Sequence, residues 1–137
     1  MKEAICGFFG IVFAWLASLF GGWTSALTTL AILMVADYVT GMIIAGVFHK
    51  SPKTEQGGLD SNVGFRGLAK KSMILLFILV AHRLDIAMGT TYLKDAVCIA
   101  YILNELISLI ENAGIMGVPV PKALQEAIEV LKGREHE

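Results

Sequence analysis

From Ala4 to Phe48 the chain runs 45 residues with a single charge, Asp37. Crossing the hydrocarbon core of a bilayer takes about 20 apolar residues in a helix, so the run is long enough for two crossings. Gly21, Gly22 and Trp23 offer a turn near its middle, with an indole suited to the membrane interface. The run therefore divides into spans at about 4–20 and 24–48. The flank before it, Met1-Lys2-Glu3, carries offsetting charges, and no small-x-small cleavage site precedes a polar stretch. The first segment thus reads as a span and not as a secretory leader.

The rest of the chain is less apolar but still unlike a soluble domain. Charged residues are 17% of the 137, against 55% hydrophobic, where a soluble domain is nearer a quarter charged. A net charge of −1 argues against nucleic acid as a partner. Cys6 and Cys98 lie in apolar stretches and read as small hydrophobes.

His49 to Lys71 is a polar connector with Lys50, Lys53, Arg66, Lys70 and Lys71 set against Glu55 and Asp60. Short basic loops stay in the cytoplasm, so the loop, taken as 49–67, is expected inside, and the N-terminus with it. Two further apolar stretches follow, expected as spans at about 68–89 and 95–117. His82, Arg83 and Asp85 interrupt the first, and Asn104, Glu105, Glu111 and Asn112 the second. Each central charge costs about 2.5–3.5 kcal/mol on insertion scales, so these helices can span only with their polar groups turned to other helices or to water.

Pro119 and Pro121 close the fourth span, because proline disfavours helix in the residue before it. Ala123, Leu124, Ala127, Ile128 and Leu131 then recur at helical spacing, which predicts a short amphipathic helix at 121–132. It is expected on the inner membrane surface or against a partner copy. The expected fold is an all-α membrane protein. About four transmembrane helices and the C-terminal amphipathic helix form one domain, 1–137, with both termini in the cytoplasm.

Two patterns suggest how the helices associate. Cys6, Gly10, Ala14, Ser18 and Gly22 fall at four-residue intervals on the first span, and Asp37, Gly41 and Ala45 on the second. Small residues so spaced let helix backbones approach closely in lipid, which points to a homo-oligomer. At about 1.5 Å per residue, Asp37, Arg83 and Glu105 come near a common depth, and Arg83 is the expected counter-ion. On the fourth span Asn104, Glu105, Ser108, Glu111 and Asn112 make one polar face, a candidate lumen lining. His82 and Asp85, three apart, read as a hydrogen-bonded pair sooner than as metal ligands. No nucleophile–base set, phosphate loop or zinc pattern appears, so neither an enzyme nor a cofactor or metal is expected.

These segments are similar, in order, to those of a known family. They are Ala36-Asp37-Tyr38-Val39-Thr40-Gly41, the basic loop closing on Gly67-Leu68-Ala69-Lys70-Lys71, and Ala81 to Asp85. Asn104 to Ala113 and Gly117-Val118-Pro119-Val120-Pro121 complete the set. From about Leu30 to Lys132 the chain resembles the toxin-secretion/phage-lysis holins of Gram-positive phages and prophages. The resemblance implies a non-enzymatic pore-former in the bacterial cytoplasmic membrane. Such a protein assembles with itself in the bilayer and passes an endolysin, or a large toxin, to the far side. Rival classes are a small four-helix transporter, whose essential glutamate would lie in the first span, and a membrane adaptor without a pore. The first span here is uncharged.

Overall fold

The computed structural model describes residues 1–135, and within them the chain is helical with no strand. In chain order the helices are α1 (Lys2–Leu19), α2 (Ser25–Ile43), α3 (Ser61–Met88), α4 (Leu93–Met116) and α5 (Lys122–Glu135), and α2 runs on into a wider π-helical turn, Ile44–Phe48. By length and composition Lys2–Leu19 and Ser25–Phe48 are each apolar enough to cross a membrane. The helix α3 is longer than either and α4 as long as the second, but their charges set them apart from these two.

Each boundary has a local cause. The Thr24 hydroxyl accepts the Leu27 amide and starts α2. Asp60 does the same for α3, its Oδ1 accepting the amides of Asn62 (2.8 Å) and Val63 (3.4 Å). That cap places the start of α3 at Ser61, where the sequence reading took a loop as far as 67. Gly89 (φ 68°) and Gly117 (φ 81°) end α3 and α4 in the left-handed conformation that glycine adopts without a Cβ penalty. The amides that follow close back on the helices: Thr90 N–H to Asp85 O (2.9 Å) and Val118 N–H to Ala113 O (2.8 Å). The fourth helix thus stops at glycine, before either proline is reached.

The core is a three-helix bundle of α2, α3 and α4. On α2 the buried residues Leu27, Leu30, Met34 and Asp37 follow helical spacing, and on α4 Lys94, Cys98, Ile102 and Glu105 do the same. Leu27, Leu30, Met34, Cys98 and Ile102 meet around Ile78 of α3. Contacts at both ends fix the directions: α2 and α4 run the same way and α3 runs against them. α4 packs along both of the others, whereas α2 and α3 touch little and leave a gap between them.

The remaining helices differ in how they are held. α5 folds back onto α4, burying Ile128 and setting Leu131 against the core, so the C-terminal part of its apolar edge is used within the chain. Ala123, Leu124 and Ala127 of the same edge stay exposed. α1 stands apart, with no buried residue and no extended contact to another helix. It is joined to the bundle at its C-terminal end. There the Lys94 ammonium donates to the Phe20 carbonyl, and the His82 ring lies where a Cβ on Gly21 would have to go.

Candidate functional site: a charged network under a polar cavity

Asp37 and Glu105, from the facing stripes of α2 and α4, are 7% and 3% exposed. Buried carboxylates must be paired, hydrated or neutralised. The pairing is done by Lys71 of α3, whose Nζ lies 2.9 Å from Asp37 Oδ2 and 2.8 Å from Glu105 Oε2. The second oxygen of Asp37 accepts from Asn112 Nδ2 at 3.0 Å, and the same amide group reaches the Asp37 carbonyl (3.2 Å) and Thr40 Oγ1 (2.8 Å). Thr40 in turn donates to the Ala36 carbonyl at 2.8 Å. Three helices are thereby tied by one continuous polar network. Two carboxylates share one ammonium, so the set carries a surplus negative charge when both are ionised.

This corrects the expected counter-ion. Arg83 lies twelve residues beyond Lys71 on α3, about 18 Å along the helix, and is exposed. The depth estimate failed because α3 begins at Ser61 and its levels are shifted accordingly. Counting outward from the loop does find the right residue. Asp37 stands eleven residues before Phe48, where the second helical stretch ends, and Lys71 ten after Ser61. A hairpin of helices brings such positions to the same level.

Asp85, grouped by sequence with the other intramembrane polar residues, does something else. Its carboxylate accepts the amides of Leu93 (3.0 Å) and Lys94 (2.8 Å) and the hydroxyl of Thr90 (2.5 Å). It is the missing N-terminal cap of α4, supplied across the turn from the end of α3. The expected His82–Asp85 hydrogen bond is replaced by this cap, and the His82 ring turns to Gly21.

Above the network, in the gap between α2 and α3, lies a cavity of about 530 Å³. Its lining includes Asp37, Gly41, Ala45, Asn104, Glu105, Ser108 and Asn112. Glu111 stays exposed outside it, so the polar face of α4 divides between cavity and exterior. The 49–60 segment, held by Ser51 N–H to Gly57 O (3.0 Å), forms one wall, and the first turns of α3 another. Tyr38 crosses the gap to the Gly64 carbonyl at 3.3 Å.

The two small-residue stripes also part company. Asp37 and Ala45 are buried and Gly41 borders the cavity, so the second stripe faces this chain's own bundle. On α1, Gly10, Ala14 and Ser18 lie open, and a Cβ on Gly10 would meet nothing within 4 Å. Gly22 leaves that stripe, since α1 ends at Leu19 and Gly22 (φ 95°) belongs to the turn. No cluster of three metal-ligating side chains occurs among the described residues.

The chain is 41% identical over 123 residues to an uncharacterized protein of Halalkalibacterium halodurans, covering 85% of each chain. An uncharacterized 14.9 kDa protein from the nagH 3′ region of Clostridium perfringens is 38% identical over 128 residues, 92% of this chain and 89% of its own. A protein of Bacillus phage phi105 named a probable holin is 29% identical over 107 residues, 77% of this chain and 73% of its own. No solved structure matches. The model of the bacteriophage holin family, a family of non-enzymatic membrane proteins, matches residues 14–133. With most of its length so matched, and two helices apolar enough to cross a bilayer, the chain belongs to the bacteriophage holin family.

Proposed function

We propose that this chain works as a holin. In this reading it accumulates in the bacterial cytoplasmic membrane, assembles with copies of itself and opens lesions that release an endolysin or export a large toxin. All four long helices cross the bilayer, with both termini and the 49–60 segment in the cytoplasm. The observation that carries the reading is the Asp37–Lys71–Glu105–Asn112 network buried within the α2–α3–α4 bundle. In lipid an unsatisfied polar group costs several kcal/mol, so the network keeps its charges paired in a closed bundle. If helices separate in an assembly, the same side chains, with Asn104 and Ser108, are able to line a wet opening.

The test is expression in bacterial cells beside a cytoplasmic endolysin that has no export signal. The membrane potential should collapse abruptly, and lysis should need both proteins. Full membrane insertion with the potential intact and the endolysin retained would sink the proposal. A cysteine at Ser61, labelled from outside before any lesion opens, would sink the topology.

A further inference from the structure

Three seams hold the α2–α3–α4 bundle together, and they are not equally strong. Between α2 and α4 lie Leu27, Leu30 and Met34 against Cys98 and Ile102, with Asn112 donating to the Asp37 side chain and to Thr40. Between α3 and α4 stand Ile78 of the core, the Lys71–Glu105 pair and the Asp85 carboxylate on the Leu93 and Lys94 amides. Between α2 and the first turns of α3 there is the cavity instead.

The sequence of α3 gives the reason. Gly64, Gly67, Lys71, Ile74 and Ile78 follow one face of the helix. The second half of that face carries isoleucines to the core, and α3 buries nothing before Ile78. Its first turns offer two glycines, which have no side chain to fill the gap. Tyr38 of α2 reaches into this notch. A Cβ on Gly67 would lie 3.5 Å from its ring and one on Gly64 3.3 Å from its hydroxyl, which donates to the Gly64 carbonyl at 3.3 Å. Apart from Lys71 on Asp37, the other tie is Leu59 lying on Gly46, and Leu59 is mostly exposed.

Parting this seam strands no buried charge. Lys71 gives up Asp37 but keeps Glu105 on α4, and Asp37 keeps Asn112, also on α4. Parting either of the other two strips apolar core as well as a polar partner. The 49–60 segment, at about 3.3 Å per residue, has chain enough to follow. We infer that the bundle opens at the α2–α3 seam. The first half of α3 pivots outward about Ile78, and Tyr38, seated on Gly64 and Gly67, is the bolt that holds it shut. The movement turns the cavity-lining Asp37, Asn104 and Ser108 toward the opened side. Its link to lysis rests on the proposed holin activity.

The test measures distances between spin labels in the purified full chain, with Cys6→Ala as background and the buried Cys98 left in place. Exposed positions carry the labels: Val35→Cys with Phe65→Cys spans α2–α3, and Val35→Cys with Glu111→Cys spans α2–α4. The first pair should show a second, longer population and the second pair a single distance. Tyr38→Phe removes the hydroxyl bond alone and should raise the long-to-short ratio across α2–α3 roughly fivefold. Gly67→Leu drives the ring from its notch with Tyr38 intact, and should raise it at least as far. In cells beside an endolysin, both variants should bring lysis forward at equal expression. An α2–α3 distance unchanged in both variants, or equal lengthening across α2–α4, would overturn the seam. Lengthening without earlier lysis, where the unsubstituted chain does lyse, would overturn its part in the lesion. If the unsubstituted chain causes no lysis, the holin reading fails instead, and the distances still decide the seam.

Discussion

The first helix and the α2–α3–α4 bundle are built on opposite rules. α1 is apolar on all sides, buries nothing and is satisfied internally by its own backbone. The bundle buries charge, and its helices are specified by who holds whose polar group. In lipid, apolar surface gains little by leaving one apolar environment for another, so an all-apolar helix has no strong reason to dock. A helix carrying Asp37 or Glu105 has no alternative to docking. Polar groups therefore decide which helices of this chain form a fixed unit and which one is left free for other partners.

The contrast is broken most severely at Lys71. Lys71→Met should leave two buried carboxylates without a cation and destabilise the bundle by about 3–5 kcal/mol, read as loss of cooperative unfolding in detergent. Glu105→Gln should cost clearly less, because Lys71 and Asp37 remain as a balanced pair; equal losses from the two variants would show that charge balance is not what matters. Next comes the α4 cap. Asp85→Ala frees two helix amides and should cost about 0.5–2 kcal/mol, with Asp85→Asn recovering most of it. The smallest effect on folding belongs to α1. Ala14→Leu should shift bundle stability by no more than about 0.5 kcal/mol while reducing crosslinks between copies at equal expression. An unchanged crosslinking ladder would remove α1 from the interface and undo the division of labour.

What the sequence made legible follows the same divide. Apolar runs, turn glycines and the amphipathic periodicity of α5 are local signals, and all five helices were found from them. Asp37, Glu105 and Asn112 stood out because a polar residue in an apolar stretch is conspicuous. Lys71 did not, since it closes a basic connector in which lysine is expected. Its role depends on where α3 begins, and the Asp60 cap that sets that boundary was read as part of a loop. Asp85 was conspicuous but misassigned. Its partners are backbone amides eight and nine residues away, brought near only when the Gly89 turn closes. Lys94 was missed for the same reason, as its acceptor is 74 residues distant.

The joint between Lys94 and the Phe20 carbonyl makes α1 a lever with one fixed end. Eighteen residues give it an arm of about 27 Å, so a rotation of about 10° at the joint moves the Met1 end by about 5 Å, close to one helical pitch. Such a tilt disturbs little of the bundle, chiefly the Phe13 ring, whose centroid lies 5.7 Å from that of Trp23, itself tied through its indole N–H to Thr28 of α2. Re-aiming the Gly10-Ala14-Ser18 edge from one neighbour to another therefore costs the fold little, and the geometry of any assembly built on that edge is set at the joint where Lys94, His82 and Trp23 hold the end of α1.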